Sequence, residues 1–584
     1  MAARRGVWAF VLIITIVGIA VFAAALALRG PRTRNHAPAA PAVLVWNVPS
    51  TIVEGEPPHR LFGMDWLRRS QPSVLDIVRA LDRAATDHHV RALVLHIDRL
   101  DWGWGKLAEV RDAVARVRRL GKPVYAIVES GGDAEYFLAS VAGVVALPPA
   151  AVLQVNGLMA SAMFFKGTFD KLDVHPNFAH AGQYKSAAES YTRQDMSGPS
   201  REAMDALLDD IYGVLVDSLA SARGLTPDSV RALIDSGPYP AGLALERGLV
   251  DTLLYAPDVD SLAVLDTGDR TDTESFTRYA GRPGWSESHV AYVAAAGTIA
   301  EGRSRFVAMG DMVLGSETFC ATLRDLREDE SIRAVVLRVD SPGGDAQASD
   351  EMWREVERLN AVKPVVVSMS DLAASGGYYL SAGARRIVAQ PSTLTGSIGV
   401  FGGKLNILGL YHKLGLNVET LQRGRNAGMM SEVKDFDPSE AAAFQAQIDT
   451  TYRLFLRRVS DGRAIDLVMA DSVGRGRVWS GRAAVTHGLV DTLGGIRVAY
   501  RLAARAAGIA PRATIDLQEF PHARRTFIDV LLDAWYPDDE DGEARGPAAA
   551  LLQTLPPVAH AWLTAAAFPA GRTLTLLPWS ITIR

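Results

Sequence analysis

Cysteine is almost missing from this chain of 584 residues, where Cys320 stands alone. One thiol can close no intramolecular disulfide and build no cysteine zinc site. Its setting, SETFCATLRDL, places it on the apolar face of a helix, as a packing residue. A strong excess of either charge is missing too. The formal net charge is −5, which gives nucleic acid no basic surface to bind. No cluster of metal ligands stands out, so neither a metal nor a cofactor is expected. Lysine is the remaining scarcity, with 9 among the 61 basic residues. Arginine is the default cation here. A retained lysine therefore draws notice, because a desolvated lysine can lose its proton and an arginine cannot.

What is present begins with size. The length exceeds one ordinary hydrophobic core, and 48% hydrophobic with 22% charged residues fits a globular chain of several domains. After a short tail (1–6), residues Val7 to Leu28 form 22 uncharged, mostly apolar positions. At about 1.5 Å per residue they span the roughly 30 Å hydrocarbon layer, which predicts a transmembrane anchor in contact with lipid. A cleaved signal peptide is the competing reading, since Ala25-Leu26-Ala27 resembles a cleavage site. The apolar run, however, exceeds the roughly 7–15 residues of a signal core. Arginines flank both ends, so charge bias leaves the orientation open.

A linker rich in Pro and Ala (29–42) follows, and then the chain repeats itself at a period near 242 residues. Val90-Arg91-Ala92-Leu93-Val94-Leu95-His96-Ile97-Asp98 returns as Ile332-Arg333-Ala334-Val335-Val336-Leu337-Arg338-Val339-Asp340. Gly248-Leu249-Val250-Asp251 returns as Gly488-Leu489-Val490-Asp491. So long a period means two domains rather than a solenoid. Apolar β-branched runs alternate with helical stretches in each copy, so the class is α/β with buried parallel strands. The expected division is a first repeat over 43–257, a connector over 258–288, a second repeat over 289–510 and an extension over 511–584. In the first repeat a long amphipathic helix is expected from Ser200, with Met204, Leu207, Leu208, Ile211 and Leu215 on one face.

The copies differ where chemistry would be done. SDLAASGGYYLSA (370–382) follows the run KPVVVSMS, which places Ser375 at a strand-to-helix turn beside Gly376 and Gly377. A helix N-terminus there offers N–H groups to a developing oxyanion. The matching position in the first copy is Asp133. Conversely, Lys185 in GQYKSA falls opposite Ala427. One copy kept a serine and the other a lysine. After the strand ending at Asp340, the second copy alone has paired glycines, Gly343 and Gly344. They are either a simple tight turn or a second oxyanion donor.

In combination DSPGGD, AASGGYY, PSTLTGSIGVFG, GQYKSA, and GRVWSG followed by HGLVD resemble the signal peptide peptidase A (SppA) family, in its long two-repeat membrane-bound form (protease IV). The resemblance covers roughly 42–510 and implies two tandem crotonase/ClpP-like repeats, each a parallel-sheet spiral. It implies Ser375 as nucleophile, Lys185 as general base, and Gly376 with Gly343 or Gly344 as oxyanion donors. It further implies a homotetramer on the outer face of the bacterial inner membrane that degrades released signal peptides. A buried Lys185 could work as a base near neutral pH, and extended apolar peptides could pair with a strand edge beside the site. Ser397 in LTGSIGV reads as a wall of the substrate pocket, and the SxxK match Ser431–Lys434 as chance. A triad using His180 or His412, acyl-thioester chemistry without an attacking serine, and a non-catalytic peptide-binding scaffold are the alternatives.

Overall fold

The computed structural model describes residues 41–55, 72–268, 271–281, 288–306, 312–521, 573–576 and 582–583. Val7–Leu28 lies outside them. Among the described residues no helix is long and apolar enough to cross a membrane.

Each copy builds a sheet from its apolar runs. In the first, six parallel strands stand in the order Thr252–Leu253, Val144–Leu147, Val124–Val128, Val90–Ile97, Ala42–Asn47, Asp272–Ser275. In the second the order is Val478–Ser480, Leu394–Gly396, Val365–Ala374, Ala334–Ser341, Val290–Ala296, Gln518–Phe520. Arg386–Ala389 joins Val365–Ala374 from the side, and Thr492–Leu493 joins Arg386–Ala389. Val336, Leu337, Val366 and Val367 are fully buried, as the unbroken apolar runs predict for strands covered on both faces.

Two segments carry more structure than their polarity announces. Part of the expected connector forms the helix Ala256–Thr267 and the edge strand Asp272–Ser275, which pairs with Ala42–Asn47. The start of the C-terminal extension does the same for the second copy, where Gln518–Phe520 pairs with Val290–Ala296. The long helices match in length, Gly198–Arg223 and Pro438–Arg463. The first begins earlier than expected. Ser197 is its N-cap, accepting from Ser200 N–H, with Pro199 in the first turn. Cys320 is buried in the helix Ser316–Glu328, and burial with Glu355 nearby pushes its thiol up to about 11. It packs.

The copies interlock. One core cluster holds Leu95, Leu107 and Val114 of the first together with Tyr292, Val336 and Val366 of the second. The helix Trp104–Arg119 of the first copy packs on the strand Val365–Ala374 of the second. A Cβ on Gly105 would stand 2.5 Å from the Ser370 carbonyl oxygen, so that approach requires glycine. At the same seam lies a buried charge cluster. Arg338, fully buried, donates to Glu54 (2.8 Å) and Glu109 (3.1 Å), both from the first copy. Lys106 of the first copy donates to Asp371 (2.7 Å) and Asp340 (2.5 Å) of the second.

A third sheet crosses the seam as well. Its order is Arg305–Phe306, Met312–Gly315, Thr298–Ala300, Gly343–Asp345, Thr573–Leu576, Val400–Asn406, His175–Ala181. The last two, from opposite copies, pair antiparallel from Val400↔Ala181 to Asn406↔His175.

Removing one partner of a buried ion pair strands the other in a low dielectric. Arg338→Met should therefore cost about 3–5 kcal/mol, read as the free energy of unfolding in urea. A loss below 1 kcal/mol would mean that Glu54 and Glu109 find other partners.

Candidate active site

The strand Val365–Ala374 runs directly into the short helix Gly376–Ser381, and Ser375 is the single residue between them. Its backbone sits at φ +55° and ψ −112°, outside the ordinary regions for a residue with a Cβ. Such a conformation costs about 1–3 kcal/mol and persists only where neighbours enforce it. Here Ser375 N–H donates to the Gly396 carbonyl at 2.8 Å, and the Ser375 carbonyl accepts from Tyr379 N–H at 2.8 Å. The next N–H, that of Gly376, opens the helix and has no acceptor within it.

Lys185 arrives from the other copy. Its strand, His175–Ala181, ends at Gly182, whose φ is +100°. A Cβ there would stand 2.3 Å from the Arg475 carbonyl carbon, and one on Gly476 would stand 2.5 Å from Lys185 N. The two loops touch because both positions are glycine. Tyr184 N–H then donates to the Arg475 carbonyl at 2.8 Å, fixing the base of the Lys185 side chain.

The Lys185 amine ends 2.8 Å from Ser375 Oγ, 3.0 Å from Ser397 Oγ and 3.1 Å from the Ser397 carbonyl oxygen. Lys185 is 1% exposed and both serines 0%. Burial holds the Lys185 ammonium well below the usual lysine range. Lys106 makes the contrast. Burial alone would lower it too, but Asp340, Asp371 and Glu54 outweigh burial and leave it raised. Among the described residues, no carboxylate or histidine is hydrogen-bonded to Lys185 or Ser375.

Ser397 does what the sequence reading did not foresee: it holds the lysine with both its hydroxyl and its carbonyl. It too has positive φ (+50°), and its N–H donates to the Arg477 carbonyl at 2.7 Å. The flanking glycines in TGSIG hinted at an unusual turn, but nothing local linked it to a residue 212 positions away.

Gly343 (φ +95°) directs its N–H at Ser341 Oγ, 3.2 Å away. A Cβ on Gly344 would stand 1.9 Å from the Ile299 carbonyl oxygen, so close strand approach demands glycine there. The Ser341 carbonyl lies against Gly377, so this turn is packed onto the start of the helix Gly376–Ser381. The remaining candidates fall elsewhere. Asp133 opens the matching helix of the first copy and accepts from the N–H groups of Asn156 (3.3 Å) and Gly157 (3.1 Å). Ala427 sits in a turn, and Lys434 is paired with Glu440 at 2.6 Å. His180 is exposed and bonded to the Gly182 carbonyl, and His412 is exposed. Among the described residues, one group could converge on a metal, Asp87, His88 and His89. It precedes the strand Val90–Ile97, on the first copy's own sheet.

A model of peptidase family S49 matches the chain twice, over 116–265 and 357–510. Lys185 falls in the first match, Ser375 and Ser397 in the second. "Serine protease SPPA, chloroplastic" of Arabidopsis thaliana is 33% identical over 77% of this chain and 68% of its own. "Protease 4" of Salmonella typhi is 31% identical over 81% of this chain and 78% of its own. "Putative signal peptide peptidase SppA" of Enterococcus faecium is 36% identical over 30% of this chain and 52% of its own. With both copies matched and relatives spanning most of its length, the chain belongs to peptidase family S49 and is a serine peptidase.

Proposed function

We propose that this peptidase works through a serine–lysine dyad, with Ser375 as nucleophile and Lys185 as general base. The observation that carries the reading is the 2.8 Å contact between Lys185 Nζ and Ser375 Oγ in a pocket that disfavours the ammonium form. A neutral amine has two N–H bonds and one lone pair. The two N–H groups match the two oxygens of Ser397, and the lone pair is left for the Ser375 hydroxyl proton. Ser397 thus orients the base.

Lys185 takes the Ser375 proton as Oγ attacks the substrate carbonyl. The new ammonium then passes that proton to the leaving amine, and the neutral amine next activates the hydrolytic water. The Gly376 N–H, which opens the helix after Ser375, is the backbone donor for the oxyanion, with the Gly343–Gly344 turn beside it. Released signal peptides and other apolar peptides are the proposed substrates, in line with the name of the Enterococcus faecium relative. The apolar run Val7–Leu28 would anchor the enzyme in the bacterial inner membrane with the catalytic part outside, as a homotetramer.

Ser375→Ala and Lys185→Ala should each lower kcat/KM on an apolar peptide by about a thousandfold or more, and non-additively, because the two groups act as a unit. Lys185→Arg should be as inactive as Lys185→Ala, and a fluorophosphonate should label Ser375 in the wild type. Substantial activity in Lys185→Arg would assign the base role to another group.

The depressed pKa of Lys185 fixes two pH dependences. Turnover should rise with pH at a midpoint below the ordinary lysine value of about 10.4. Stability should follow the same sign. Between the depressed value and about 10.4 the unfolded chain binds a proton that the native state does not. In that window the wild type should gain about 1.4 kcal/mol per pH unit relative to Lys185→Met, measured by urea unfolding. Parallel stability profiles would show that Lys185 is charged in the native state.

A further inference from the structure

The sheet that crosses the seam is continuous only because of a strand from late in the sequence. Thr573–Leu576 runs between Gly343–Asp345 and Val400–Asn406, antiparallel to both. Its register is Gly343↔Leu576, Gly344↔Thr575 and Asp345↔Leu574 on one side. On the other it is Phe401↔Leu574 and Gly402↔Thr573. Without it, the two neighbours would face each other across a gap of two strand spacings, about 9.5 Å, each with a bare edge.

Both walls of that slot lead to the catalytic groups. Gly343 follows Ser341 by two residues, and the Ser341 carbonyl packs on the start of the Ser375 helix. Val400 follows Ser397 by three residues, and its strand pairs with the one that delivers Lys185. A peptide presented to Ser375 in extended form would add to these two edges through its backbone. The chain's own segment already makes those bonds. Further on, Thr582–Ile583 pairs antiparallel with Ala160–Ser161, so the same tail is also fastened to the first copy.

We propose that this tail is an intramolecular competitor, a strand that occupies the peptide slot and must leave before substrate enters. The inference rests on the peptidase reading above. A substrate strand replaces the tail's backbone hydrogen bonds nearly one for one, so neither wins on bonding alone. The tail wins on tethering, since a covalently linked strand acts at an effective concentration on the order of millimolar. Only the fraction of molecules with an open slot can bind, and the apparent KM rises by the inverse of that fraction.

The test is made in the full chain. Thr575→Pro removes an N–H and disfavours a strand flanked on both sides. It should lower KM for an apolar reporter peptide by about fivefold or more, with kcat unchanged. A chain ending at residue 572 should behave alike. A synthetic peptide of residues 572–584 should then inhibit both variants competitively. Fluorophosphonate labelling of Ser375 is followed in parallel. If peptides are cleaved and Ser375 is labelled, but KM does not move in either variant, the tail is no competitor and the peptidase reading stands. A fall in kcat in both variants would make the strand a structural part of the site, which also overturns the proposal. Neither cleavage nor labelling in any form would remove the reading and the inference together.

Discussion

A primary amine kept out of water with no anion beside it is the condition on which the rest of this structure depends. Lys185 meets three oxygens and no carboxylate, and its ammonium form is disfavoured by burial alone. Lys106 shows how easily the opposite would result, since a buried lysine surrounded by carboxylates is held in the charged form. The pocket cannot be made by one copy. Its floor is the turn after Val365–Ala374, one wall is the Ser397 turn, and the amine enters from the strand His175–Ala181 of the other copy. The interlocked core and the crossing sheet keep those parts in register, so the architecture serves a single dry contact.

What the sequence disclosed depended on how local each signal was. Ser375 could be placed at a strand-to-helix turn because an apolar run, a Gly pair and an apolar helix adjoin in the chain. Lys185 was legible only by comparison, as a lysine kept where its counterpart is Ala427. Ser397 was visible as an odd turn, but its bond to Lys185 was not, since that partner lies in the other copy. The charge cluster left no trace. Glu54, Glu109 and Arg338 look like ordinary surface charges until the fold buries them together. Edge strands such as Asp272–Ser275 were missed for a related reason: a short polar strand is defined by the neighbour it pairs with. The family motifs pointed to Ser375 and Lys185 without saying that burial disfavours the charged form of the lysine.

The first copy shows the same turn with a different residue in it. Asp133, where the second copy has Ser375, is pushed up to about 6, chiefly by burial. One of its oxygens accepts from two backbone N–H groups of the following loop, while the other has no partner. The helix start there stands beside a resident carboxylate. The turn has become a clamp.

The seam cluster also sets an order of events during synthesis. Glu54 and Glu109 leave the ribosome more than two hundred residues before Arg338. Domains of a nascent chain ordinarily fold as units, the N-terminal one first. Here the first half emerges with two carboxylates committed to an interior whose guanidinium has not yet been made, and with the helix Trp104–Arg119 lacking the strand it covers. The burial of Glu54 and Glu109 against their guanidinium therefore has to wait until the second half has been translated, even where the first half's own sheet is already complete.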